Sequence, residues 1–341
     1  MRPNCNNSFV VASKWLGVVL FAVAISAATP VPTGAAERST GPAAVAPAPK
    51  TDIPEQPFPV GPETRAFPSS IDISPFERLR FAGVPERIVS LTPGVTETLF
   101  ALGIGPRVVG ISRYCDHPEQ VSTLPRVGSF LSPVIEAVIK LEPDLVITSP
   151  SPGNRNAVEA LERAGLRVEV VDEGSASLDT IRASILTVSR LVGRDLEGSL
   201  LLDRINSAVN TVQARVSELS KPRVAVVVGY EPLVLAGPSS YLGELVRVAG
   251  GKNVADTLGG KWPRTGLEFL LAASPEILVD ASMQEFDQDE VGTITRRWAR
   301  FPLVPAVADG RIYGHGGFLL LRPGPRLAEQ ALLMGRYVHP E

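Results

Sequence analysis

The chain is poor in the residues that carry covalent and metal chemistry: of 341 residues, two are cysteine and three are histidine. Cys5 falls in an N-terminal leader and Cys115 stands alone in the rest, so the mature chain has no intramolecular disulfide. A lone cysteine of this kind packs as a small hydrophobe or lines a pocket. A receptor for bare zinc or manganese needs three or four converging His, Asp or Glu ligands. His117, His315 and His339 do not promise that, because His339 sits at the C-terminus. Basic excess is also missing: 33 Lys and Arg against 36 Asp and Glu give a net charge of −3, without the footprint that nucleic-acid binding requires. GxSxG, HExxH, P-loop and GxGxxG motifs are absent, and the loop TPGVTE at 92–97 imitates a phosphate cradle with one glycine only. No catalytic residue, metal site or cofactor is therefore assigned, and the chain is not read as an enzyme.

What is present is a segment that occurs twice. Residues 134–147 read VIEAVIKLEPDLVI and residues 266–279 read GLEFLLAASPEILV, so Glu136 and Glu268 precede Pro143 and Pro275 by the same interval. In each copy the apolar residues after the Glu have helical spacing, the Pro blocks further helix, and the apolar run beyond it reads as a buried strand. Two related α/β lobes follow, with a cleft between them as the place for a ligand.

Along the chain, Arg2 and Lys14 precede the apolar run Trp15–Ala28, which reads as a secretory signal peptide over 1–28. An uncleaved anchor is the competing reading, and cleavage after Ala28 or Ala36 fits. No cysteine follows the apolar run, so an exported, unlipidated, periplasmic protein is expected. Residues 29–85 are a Pro/Ala-rich tether and lead-in, with an edge strand or an ordered approach over 69–85. The N-terminal lobe spans 86–176: strand 87–91, Thr92 and Pro93 opening a helix that ends at Gly103, strand 107–112, the first repeat (134–148), a helix from Asn156 to Ala164, and strand 167–172. Over 177–222 the helical pattern is sustained, broken near Gly193, and its second part (196–219) would be about 35 Å long. The C-terminal lobe, 223–341, carries strand 223–229, helix 241–251, the second repeat (266–281), an acidic stretch (284–290), strand 311–315 and a last helix from Pro325 to Val338. Alternating strands and helices predict parallel sheets, with the second lobe mirroring the first. The expected fold class is thus α/β, two related lobes with a long rigid helix between them.

The segments RIVSLTPGVTETLFALG, VVGISRYCDHP, LEPDLVI, LVLAGPSSYLGELVRVAGGKNVA, KWPRTGLEFLLAASPEILV and LLLRPGPRLAE occur in the order seen in periplasmic binding proteins of the vitamin B12 and iron-siderophore type. The chain resembles that family over about residues 86–341, and within it the cobalamin-binding branch. The resemblance implies two Rossmann-like lobes joined by a long backbone helix, in a monomer that holds a ligand between them, closes little on binding, and delivers the ligand to the permease dimer of an ABC importer. The implied ligand is cobalamin or a related corrinoid, with a ferric siderophore or haem as the alternative. It puts Tyr114, Phe130 and Trp262 in the pocket. Trp262 is flanked by Lys261 and Pro263 in a loop, although ordinary core remains a second reading for it and for Phe130. His117 and His315 fall in loops of opposite lobes that face the cleft, open to an axial metal contact, a hydrogen bond or plain exposure. Phe318 and Arg322 complete the ligand set, with Arg322 and Arg326 beside a helix start primed by Pro325, and Arg113 and Arg264 are cationic candidates similar to Arg322. By the same resemblance Glu136 and Glu268 dock with arginines of the permease; each also suits a helix N-terminus, where an acid contributes about 0.3–1 kcal/mol.

Overall fold

The computed structural model describes residues 83–173, 176–282, 290–314 and 318–340. The leader, the tether with its lead-in up to residue 82, most of the acidic stretch and His315 lie outside the described residues.

The first sheet is built from β1 (Ile88–Ser90), β2 (Val108–Ile111), β3 (Leu145–Thr148) and β4 (Val168–Val170). The order is β2-β1-β3-β4 and every pairing is parallel. β1 and β3 are buried along their whole length, as central strands covered on both faces must be. Helix α1 (Pro93–Ala101) starts at an extended Thr92 with Pro93 in its first turn, and the chain turns away at Gly103, whose φ of 77° a glycine accepts without strain. Helices α2 (Ile135–Lys140) and α3 (Arg155–Arg163) complete this lobe.

Two helices follow, α4 (Leu178–Leu191) and α5 (Asp195–Val216), separated at Gly193 with φ 66°. Ser177 and Thr180 form a reciprocal capping box at the start of α4. The 22 residues of α5 extend about 33 Å. Its buried residues Leu201, Ile205, Val209, Val212 and Val216 recur at helical intervals and form one stripe. Near its start, Gly198 lies against Ser189 of α4; towards its end, Val212 lies against Gly335 of α10 (Leu327–Val338). The long helix therefore packs on the other connecting helix at one end and on the C-terminal lobe at the other.

The second sheet comprises β5 (Arg223–Gly229), β6 (Leu233–Leu235), β7 (Lys252–Asn253), β8 (Arg264–Thr265), β9 (Ile277–Asp280) and β10 (Ile312–Gly314). Its order is β10-β9-β5-β6-β8, with β7 beside the start of β5. Helices α6 (Tyr241–Val248), α7 (Leu267–Ala273), α8 (Glu290–Trp298) and α9 (Pro305–Ala308) precede α10. The expected wholly parallel mirror of the first lobe is corrected here, because β6 runs antiparallel to both β5 and β8. The connection from β5 to β6 is too short for a crossover and can close only as a hairpin. The pairings of β5 with β7 and β9, and of β9 with β10, are parallel.

The sequence repeat is also a repeat of backbone. Glu136 and Glu268 are each the second residue of their helix, and Glu142 and Ser274 each adopt φ 45° immediately before the proline. β3 and β9 then begin two residues beyond Pro143 and Pro275. In both copies an arginine preceding or opening the lobe's first strand closes the helix. The Arg87 amide donates to Asp144 and its guanidinium to the carbonyls of Leu141 (2.6 Å) and Glu142 (3.0 Å). Arg223 does the same with Glu276 and the carbonyl of Ser274 (2.8 Å). The last carbonyls of a helix have no partner within it, and a cation there also meets the negative end of the dipole. Arg87→Met and Arg223→Met should each lower the unfolding free energy by about 1 kcal/mol. Urea unfolding reads this directly, and a change within experimental error would show that the two closures contribute nothing.

Candidate functional site

In open α/β sheets ligands collect outside the carboxyl ends of the strands. Here β1 runs into α1, β2 runs into the loop 112–118, and the segment 318–326 follows β10; Arg322 against Tyr114 and Pro323 against Gly94 bring these three stretches together.

The loop after β2 is held from beneath. Arg126 donates to the carbonyls of Ser112 (3.2 Å), Arg113 (3.3 Å) and Cys115 (2.7 Å). Cys115 is fully buried against the hydroxyls of Thr96 and Ser112, and burial pushes its thiol up, so it packs as a small hydrophobe and does not line a pocket. Tyr114 faces outward, with its ring 6.1 Å from that of half-buried Phe130 in an edge-to-face pairing. Arg113 lies 5.1 Å from the Tyr114 ring centre and donates to its phenol oxygen at 3.1 Å.

From the other lobe, the guanidinium of Arg322 sits 4.5 Å over the Phe318 ring. It donates to the carbonyl of Tyr114 at 2.9 Å and reaches the Asp116 carboxylate at 3.4 Å. Tyr114, Phe130, Phe318 and Arg322 are thus joined in one chain of contacts. His117, in a cis peptide with Pro118, is exposed. Trp262 is half-buried, edge-on to Tyr241 at 6.5 Å and packed on the main core. It meets the other site residues through Tyr241, whose hydroxyl donates to the carbonyl of Leu320. Arg264 is exposed on β8, and Glu136 and Glu268 are exposed in the first turns of α2 and α7. Among the described residues no group of three His, Cys, Asp or Glu side chains could hold a metal ion.

Two acids, one buried and one half-buried, were not anticipated. Glu97 on α1 is 2% exposed and takes both arms of Arg326, Nε donating to Oε2 at 2.8 Å and Nη2 to Oε1. Burial pushes its carboxyl above the usual carboxylate range, while Arg326 opposes this. The backbones beside the pair touch: a side chain at Gly94 would collide with the Pro323 carbonyl. The Gly94 amide also donates to Glu173 at 2.9 Å. Burial raises the Glu173 carboxyl, against the Thr92 hydroxyl and the amides of Gly94 and Val95. The one sequence signal was an acid within a helix whose residues from Pro93 to Leu99 are otherwise suited to burial. At the carboxyl ends of β5 and β9, fully buried Asp280 accepts from Trp298 Nε1 (2.7 Å), Ser282 and Arg297, and Arg297 in turn covers the Tyr230 ring at 4.6 Å. That network is a third feature the sequence did not announce.

Removing Arg326 leaves Glu97 buried without its partner, so Arg326→Met should destabilise the protein by about 3–5 kcal/mol. The double change Glu97→Met with Arg326→Met should recover most of that loss in urea unfolding, and a double variant as weak as the single one would contradict this account of the pair.

The chain matches the periplasmic binding protein family over residues 88–316. It is 27% identical over 287 residues to the ABC transporter substrate-binding lipoprotein YvrC of Bacillus subtilis, covering 82% of this chain and 88% of that protein. It is 24% identical over 227 residues to the vitamin B12-binding protein of Yersinia pestis, covering 67% and 79%. The crystal structure of the periplasmic heme binding protein HutB of Vibrio cholerae superposes with a TM-score of 0.66 over 74% of this chain and 99% of that one, at 20% identity, which shows a shared fold. Its relatives are transport proteins and not enzymes. With a parallel sheet in one lobe, a mixed sheet in the other, a long helix joining them, and this matched span, the chain belongs to the periplasmic binding protein family, among the solute-binding proteins of ABC importers.

Proposed function

We propose that the protein captures cobalamin or a related corrinoid between its lobes and delivers it to the permease dimer of an ABC importer. In this reading residues 86–176 and 223–341 are the two lobes, 177–222 is a stiff connector, and the exported protein acts as an unlipidated periplasmic monomer. The observation that carries the ligand assignment is the chain of contacts from Phe130 through Tyr114 to Arg322 and Phe318, with rings and a guanidinium supplied from both lobes. A corrin presents broad apolar faces and a rim of amides, which aromatic faces and a few donors suit. Trp262, His117 and Arg113 stand around that cluster, and His315, the other histidine assigned to the ligand, lies outside the described residues. The likeness to a vitamin B12-binding protein supports the same ligand.

One observation favours a second reading, haem or a ferric siderophore. The phenol oxygen of Tyr114 accepts from Arg113, and a tyrosine oxygen is a known haem-iron ligand while arginines suit haem or siderophore carboxylates. Calorimetric titration of the mature protein with cyanocobalamin, haem and a ferric hydroxamate separates the two. One-to-one, sub-micromolar binding of the corrinoid alone is expected, weakened by about tenfold in Tyr114→Ala. Binding of haem or the iron chelate without cobalamin would transfer the assignment to the second reading.

Docking rests on the repeat. Glu136 and Glu268 hold the same place in the two copies, and three residues later Ile139 (43% exposed) and Leu271 (36% exposed) do as well. Residues three apart share a helix face, so each lobe offers one carboxylate beside one exposed aliphatic side chain. A two-fold permease with one basic, apolar-rimmed contact on each half fits that pair of surfaces. Reversing both charges, Glu136→Lys with Glu268→Lys, should leave ligand affinity unchanged while cellular uptake fails; normal uptake in that variant would remove the docking assignment.

A further inference from the structure

The segment that brings Phe318 and Arg322 to the site has little regular structure of its own, a single 3-10 turn over Leu319–Leu321. It is gripped from behind. Tyr241 of α6 donates its hydroxyl to the Leu320 carbonyl. Gln330 of α10 donates Nε2 to the carbonyls of Leu319 (2.7 Å) and Arg322 (2.7 Å). Three carbonyls within four residues are therefore taken by two side chains from two helices. Both side chains are buried, Gln330 at 0% and Tyr241 at 1% exposure.

Packing alone does not explain this choice of residues. A buried hydroxyl or amide costs free energy unless bonded, and Phe or Leu would fill the same space without that cost. Gln330 Oε1 has no partner among the described residues, a further cost that a residue kept for its volume would not carry. The placement within α10 is also telling: Gln330 lies one turn beyond Arg326, its amide donating to the Arg326 carbonyl at 3.0 Å. The helix that holds the turn thus also carries the arginine joined to Glu97. Displacement of the turn would move Phe318 and Arg322 together.

We infer that Tyr241 and Gln330 are positioning residues for ligand recognition, fixing how far Phe318 and Arg322 reach from the C-terminal lobe towards Tyr114. The inference rests on the assignment of Phe318 and Arg322 to the ligand site. A merely structural role would lower stability without touching the ligand through those two side chains.

The test uses Tyr241→Phe and Gln330→Met in the mature protein, with cyanocobalamin and haem as probes. Each variant should weaken the tighter-binding probe by about tenfold and speed amide exchange at Leu321 and Arg322 by a similar factor, with the core amides of α6 and α10 unchanged. In a Phe318→Ala, Arg322→Ala background, the effect of either change on affinity should shrink to within about twofold, because the residues it acts through are gone. The inference is overturned by unchanged affinity despite faster exchange in the turn, or by the same loss of affinity in that background. If the wild-type protein binds neither probe, the ligand reading falls by itself. The grip is then judged from exchange alone, and full protection of Leu321 and Arg322 in both variants would overturn it.

Discussion

Taking the Glu97 carboxylate out of water is the constraint around which the contact between the two lobes is arranged. Burial alone disfavours its charge, and the opposing contribution of Arg326 is large only when both arms of the guanidinium engage. That geometry needs α1 and the start of α10 within contact of each other. Gly94 allows it, since any side chain there would strike Pro323. Once the backbones touch, Arg322, one turn earlier, falls within reach of the Tyr114 carbonyl and Asp116. The aromatic cluster is thus downstream of one ion pair: a shift that separated Glu97 from Arg326 would also carry Arg322 away from Tyr114.

The long helix limits what such a shift can be. α5 buries Leu201 and Ile205 near its start and Val209, Val212 and Val216 towards its end, and these sit in or beside one hydrophobic core that continues into both lobes. Bending between those groups would break helical hydrogen bonds and expose the stripe together. A second tie reinforces this, since Glu244 of α6 accepts from the first amide of α4 at 2.8 Å. In the proposed reading, ligands of different outline are then accommodated by side chains at the loop tips, where Tyr114 and Arg322 are, more than by rotation of whole lobes.

Much of the architecture was legible because it is local. Equal spacing of Glu, Pro and apolar run located both repeats, and the break at Gly193 and the length of α5 followed from helical periodicity. The closures by Arg87 and Arg223 were not legible, since each arginine meets its helix across more than fifty residues. β6 was missed because three apolar residues carry no period, and its direction is dictated by the short hairpin before it. At the site, the likeness of motifs, not any spacing, brought Tyr114, Phe130, Phe318 and Arg322 forward, as they come from separate loops. Glu97 and Arg326 are 229 positions apart, and nothing near either residue names the other. Trp262 was placed correctly in a loop, yet its partner Tyr241 ties it to the core edge, which the flanking Lys261 and Pro263 did not reveal.

The two lobes are alike where they face outward and unlike where they face each other. Outside, the copies agree down to the left-handed residue before each proline and the exposed aliphatic side chain after each glutamate. Inside, one lobe presents a loop pinned by Arg126 and the other a turn pinned by Tyr241 and Gln330, with no residue of one matching a residue of the other. A duplicated fold held symmetric throughout would fit a symmetric partner but not a ligand without a two-fold axis. Divergence in the loops at the carboxyl ends of the strands, beside repeated outer helices, satisfies both demands. In the proposed reading, the repeated helices are where each lobe meets its partner, and the loops at the strand ends are free to fit the ligand.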